Sequence, residues 1–220
     1  MEHNRHWVGT WATAPAPSEA GVGFNNHTVR MNPRVSIGGD TVRVRVSNAY
    51  GHSKLVIGAA YVGIRDKGSA IVPGSERKLT FNGADSATVA AGALVISDPV
   101  ALAVRPLADL AVTLYLPGDI PTSFQITGRY DRQTNYISPP GNFAAAIEMP
   151  VGKITDEWFF VSGIDVLASP ETGGVVALGD SLTDANISTH DAYCRWPDEL
   201  ARRLIAREGG RVLRERTRLR

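Results

Sequence analysis

Gly38-Gly39-Asp40-Thr41-Val42-Arg43-Val44-Arg45-Val46-Ser47 decides the architecture of this 220-residue chain. From Thr41 onward apolar and polar residues alternate, which is the pattern of a strand with one face in a core and the other in water. The glycines and the aspartate before it read as a hairpin turn joining Arg34-Val35-Ser36-Ile37 to that strand. The β pattern extends outward from residue 29 to about 167. Further strand candidates are Leu55–Ile64, Leu79–Asn82, Ala93–Ser97, Ala111–Leu116, Ser123–Thr127 and Trp158–Val166. Turn chemistry separates them at Pro73-Gly74, Asn82-Gly83, Pro117-Gly118 and Pro139-Pro140-Gly141. Short strands at this spacing predict a mostly β chain whose residues 1–167 form an antiparallel, jelly-roll-like sandwich.

The pattern changes after a linker at 168–173. Val175-Val176-Ala177-Leu178 is a continuous apolar run bounded by glycines, which predicts a strand buried on both faces of a parallel sheet. A helix signature follows. Pro197 stands at its start, Asp198 and Glu199 in its first turn, Arg202, Arg203 and Arg207 further along, and Gly209-Gly210 at its end. Trp196, Leu200, Leu204 and Ile205 share one face, and Glu199 is spaced to pair with Arg203. Residues 174–220 therefore read as the start of an α/β domain with one strand and one helix.

Between them lies Gly179-Asp180-Ser181-Leu182-Thr183-Asp184. By itself it is a polar turn that ends a strand. A serine there can also present Oγ beside the free N–H groups of the next turn, the arrangement that stabilises an oxyanion, so Ser181 is the candidate nucleophile. These residues resemble the first sequence block of the SGNH hydrolases, also called GDSL esterases and lipases. Arg195-Trp196-Pro197-Asp198 and Leu200-Ala201-Arg202-Arg203-Leu204 are similar to the same family. Trp7-Val8-Gly9-Thr10-Trp11-Ala12, Val46-Ser47-Asn48-Ala49-Tyr50-Gly51 and Ser97-Asp98-Pro99-Val100 resemble the β-sandwich domain of one bacterial branch. The resemblance covers about residues 7–208.

It implies a flavodoxin-like catalytic domain and serine-dependent hydrolysis of small esters or acylated carbohydrates, without a metal or organic cofactor. It also implies an oxyanion hole completed by a later glycine and asparagine, and a base supplied by an Asp-x-x-His pair. The sequence contains no Asp-x-x-His. Only Ser181, supported by Gly179 and Asp180, carries over, and Ala185 stands where close relatives usually have glycine. A truncated copy, weakly active or inactive, is the expectation. Arginines at 214, 216, 218 and 220 would line one face of any strand there, so the tail is expected to fray and to stem from a shifted reading frame.

Other classes leave weaker traces. With 23 basic and 22 acidic residues, bulk charge does not point to nucleic acid, and the arginine-rich tail has no accompanying stacking platform. The amino terminus has no apolar signal core and no stretch reaches membrane-spanning length, so a cytoplasmic chain without membrane insertion is expected, although relatives are often secreted. Cys194, the one cysteine, excludes an internal disulfide. His190 reads as a solvated loop residue, and His3, His6, His27 and His52 as surface residues without metal-site spacing. Gly-Asp-Ser-x-x-Asp also resembles a magnesium motif of haloacid-dehalogenase-type phosphatases, but the Asp-x-Asp nucleophile motif of that class is missing. The non-enzymatic alternative is a carbohydrate-binding sandwich using Trp7, Trp11, Tyr130 and Tyr136, followed by a vestigial hydrolase segment. Oligomeric state is not legible.

Overall fold

The structure is a computed structural model that describes residues 5–17, 23–120, 132–184 and 187–208. Two antiparallel sheets face each other across one core. The first runs β1 (His6–Ala12), β13 (Val161–Ala168), β3 (Gly39–Ser47), β8 (Leu94–Ile96), with β9 (Val100–Val104) beside the opening half of β3. The second runs β12 (Lys153–Thr155), β11 (Asn135–Pro140), β2 (Phe24–Met31), β10 (Leu110–Ile120), β5 (Ala59–Ile64), β6 (Arg77–Leu79). A short ribbon pairs β4 (Leu55–Ile57) with β7 (Ala87–Val89). Mostly β, antiparallel architecture is therefore what this chain adopts.

Alternation explains β3. Val42, Val44 and Val46 are wholly buried while Arg43 and Arg45 point outward. Val29 and Met31 on β2 and Val112, Leu114 and Leu116 on β10 meet them across the core, joined by Trp158, Phe159 and Phe160 ahead of β13. One cation lies inside. Arg30 is fully buried and donates to Thr113 Oγ1 and to the carbonyls of Ser69, Ala146 and Ile147. Burial pushes its pKa down to about 10, which leaves it charged at neutral pH.

Three local expectations change. Arg34–Ile37 forms no hairpin with β3. Instead Val35 N–H donates to Ala108 O and Ser36 N–H to Thr10 O, and Gly39 belongs to β3 opposite Val104. A Cβ on Gly38 would lie 2.2 Å from Val104 O, so this glycine permits a close backbone approach where a hairpin turn was expected. Leu55–Ile64 divides at Gly58 into strands of different sheets, and the Tyr115 ring packs 2.8 Å from where a Cβ on that glycine would be. Ser123–Thr127 lies outside the described residues. Strands β1, β2, β7, β9, β11 and β12 were not singled out from the pattern, since each is short or carries polar residues on its inner face.

The third change bears on the site. Val175–Leu178 is not a paired strand; Val175, Val176 and Leu178 are 66%, 91% and 95% exposed. A buried parallel strand needs hydrogen-bonded neighbours on both sides. Every strand pairing among the described residues is antiparallel, and none includes 174–180. Helix α1 (Ser181–Asp184) is a single turn and α2 (Trp196–Glu208) has the expected span. The arginine-rich stretch 211–220 and Ala185 lie outside the described residues. No helix among the described residues is long and apolar enough to cross a membrane.

Candidate nucleophile turn and adjoining groove

Strand pairing brings the serine-bearing segment beside the first sheet. β1 lies against β13, so the linker leaves β13 next to the amino-terminal strand, where the His6 ring contacts Thr172 O at 3.0 Å. Residues 173–181 then run along a groove of about 900 Å³. Gly9, Thr10, Trp11, Ser36 and Arg45 of the sandwich form one wall, and Val175, Val176, Leu178, Leu200, Leu204 and Ile205 the other. Ser181, Thr183 and Asp184 border it.

Asp180 starts α1. Its Oδ1 accepts the Leu182 N–H at 2.9 Å, and its carbonyl accepts Thr183 and Asp184 N–H, both at 3.0 Å. Those are the bonds of an N-cap, and they leave Ser181 exposed at the first helical position. Gly179 is required by close approach, since a Cβ there would stand 2.0 Å from Thr183 Oγ1 and 2.7 Å from Thr183 Cβ. Thr183 Oγ1 also accepts Trp196 Nε1–H at 3.2 Å, which ties the turn to the first residue of α2.

The amino end of α2 carries one half of a capping box, the side chain of Asp198 reaching back to the residue before the helix. Arg195 O accepts the Glu199 N–H, while the Arg195 N–H donates to Asp198 Oδ2 at 3.1 Å. Glu199 pairs with Arg202, one position short of the expected Arg203, which remains exposed. The helix's apolar face is only half covered, with Trp196 48% exposed.

His190 does not line the groove with Ser181. Its Nδ1 lies 3.2 Å from Asp191 Oδ2. Asp191 in turn accepts the Thr134 N–H at 2.7 Å and the Thr134 hydroxyl at 2.5 Å. Burial raises the Asp191 pKa, but those bonds and the neighbouring imidazole outweigh it and hold the carboxyl below its ordinary value. Cys194 is exposed. No group of three or more metal-ligating side chains occurs among the described residues.

Three of the four aromatic residues expected to furnish a sugar-binding surface lie among the described residues. Arg43 covers the Trp7 ring at 4.3 Å, Trp11 packs on Trp158 with centroids 4.6 Å apart, and Tyr136 is buried. Tyr130 lies outside the described residues. Sequence reasoning also missed two polar centres. Asp165, 1% exposed, takes Arg43 Nε at 2.8 Å and Arg45 Nη2 at 2.7 Å on the outer face of the first sheet. Tyr193 is buried against Arg34, whose guanidinium carbon is 3.6 Å from the ring centroid. Alternation marked Arg43 and Arg45 as outward-facing, and an aspartate at 165 within an apolar strand was a usable signal for the first. A tyrosine in a polar loop gave none for the second.

Compared with known proteins, the chain matches no family model and no curated sequence.

Proposed function

We propose that this chain carries the nucleophile segment of a serine-dependent carboxylic-ester hydrolase of the SGNH type, acting on small esters or acylated carbohydrates, in a weakly active or inactive form. The observation that carries the reading is the turn itself. Gly179 and Asp180 hold Ser181 exposed beside a groove of about 900 Å³, a volume that suits a small-molecule ligand. Ser181 Oγ would attack the ester carbonyl as a base took its proton. The Ser181 N–H, the one amide of α1 not bonded to Asp180, would face the developing oxyanion; the alcohol would leave with the proton taken from Oγ, and water would release the acyl group in a second step.

The base sets the expected rate. No histidine lines the groove with Ser181 among the described residues, and losing the histidine of a serine hydrolase costs roughly six orders of magnitude in turnover. The 220-residue chain is therefore expected to hydrolyse p-nitrophenyl acetate barely above buffer, with the small excess lost in Ser181→Ala. Substantial hydrolysis that survives Ser181→Ala overturns the assignment. Substantial hydrolysis lost in that variant would place a base within these residues, His190 first.

A further inference from the structure

The serine-bearing segment is attached to the sandwich at one buried side chain. Of the described residues beyond Ala168, only Tyr193 is buried. The guanidinium carbon of Arg34 stands over its ring, 3.6 Å from the centroid, and Arg34 is itself fixed by two bonds to Asp109, Nε to Oδ1 at 2.7 Å and Nη2 to Oδ2 at 3.0 Å. A cation held in this way offers the ring a pre-positioned surface, and a planar guanidinium stacks on an aromatic face as an ammonium does not.

The surroundings converge on the same point. Arg65 Nη1 is 3.5 Å from the Tyr193 hydroxyl. Arg202 Nη2 donates to the Tyr193 carbonyl at 2.6 Å. Arg195 Nη2 donates to Oε1 of buried Gln133 at 3.2 Å, and the Asp191 N–H donates to Arg132 O at 2.8 Å. Both Tyr193 (φ 49°) and Asp191 (φ 57°) adopt left-handed backbone, which non-glycine residues keep only where their surroundings hold it. From Tyr193 the connection to the nucleophile is short. Arg195 donates its N–H to Asp198 at the start of α2, Trp196 bonds Thr183, and Thr183 sits on Gly179 in the Ser181 turn.

We propose that Tyr193 is the positioning residue of the serine-bearing segment: stacked on Arg34, it fixes α2 and the Ser181 turn at the sandwich, so that the sandwich supplies one wall of the groove. The role given to Ser181 rests on the hydrolase reading, whereas the attachment does not. Without it, Val175–Leu178 and α2 keep few contacts with the first sheet and the groove loses its width.

Hydrogen exchange read by mass spectrometry on the full chain tests the attachment without requiring activity. Tyr193→Ala should speed exchange in 181–184 and 196–208 at least tenfold while β3 and β10 stay within twofold. Tyr193→Phe, which keeps the stacked ring, should stay within threefold of the parent throughout. Arg34→Lys keeps a charge for Asp109 but removes the flat surface, and should speed exchange in 196–208 at least threefold, which decides the matter if Tyr193→Ala does not fold. Unchanged exchange in 196–208 in both Tyr193→Ala and Arg34→Lys overturns the proposal, and so does equal acceleration in β3, β10 and α2. Substantial ester hydrolysis that survives Ser181→Ala, in a chain that still shows the expected exchange pattern, would sink the hydrolase reading alone.

Discussion

Gly179 and Thr183 are in contact across one turn of chain, the threonine hydroxyl lying 2.0 Å from where a Cβ on residue 179 would be. No L side chain fits there without displacing Thr183 or opening the turn. Gly179→Ala should therefore break the Trp196–Thr183 bond and speed amide exchange over 181–184. Gly179→Ala with Thr183→Gly should restore part of the protection by clearing both contacts. Exchange unaffected by Gly179→Ala would show that the turn has more room than this contact allows.

Asp165 neutralises two arginines at once. Removing it leaves Arg43 and Arg45, whose side chains are 24% and 44% exposed, able to recover some solvation. The cost is therefore discounted from the several kcal/mol of a fully buried pair to about 1–3 kcal/mol. Asp165→Ala should lower the urea midpoint accordingly, and Arg43→Ala less, because Arg45 still binds both carboxylate oxygens. An Asp165→Ala midpoint equal to the parent's would contradict this account.

Asp191 should make the attachment of the 187–208 segment sensitive to acid. Its carboxyl is held below the ordinary aspartate value in the folded chain, so its contribution is complete above pH ~4 and is lost as pH falls through the lower folded value. Cys194, exposed and the chain's one cysteine, can carry a fluorophore. Its anisotropy should drop on acidification in the parent, and should already be low at neutral pH in Asp191→Asn. Identical pH profiles for the two proteins would refute the assignment.

Tyr193 should respond at the alkaline end. Burial, aided by the Asp109 charge, pushes its phenol up to about 12. An unfolded tyrosine ionises near 10, so the neutral phenol's contribution is complete below pH ~10 and disappears as pH rises through about 12. In a near-ultraviolet titration one of the six tyrosines should ionise late, and that step should be missing from Tyr193→Phe and from the urea-unfolded chain. A native titration with no late step would mean that the ring is not held as described.

Local pattern was sufficient for Thr41–Ser47 and for the Trp196–Glu208 helix, because the period of apolar residues specifies which face is buried whatever lies opposite. Turn residues likewise marked the small turn at Gly179-Asp180 that carries Ser181, where Asp180 Oδ1 accepts the Leu182 N–H two positions on. The same rule misread Val175–Leu178. Apolar content says that a segment is suited to burial, whereas burial itself depends on neighbours that no window around the segment contains. The structure leaves these side chains exposed beside the groove.

What the sequence by itself determined is the β class, the strand face that enters the core, and the small turn that holds Ser181. Tertiary structure alone decided which strands are neighbours and which distant charges meet. Arg43 finds Asp165 at 122 positions' remove, and Tyr193 finds Arg34 from the other end of the chain. The physical reason is range. Alternation and capping are settled within a few residues by backbone geometry, but a buried carboxylate or a stacked ring is stabilised only when chain closure brings its partner to it.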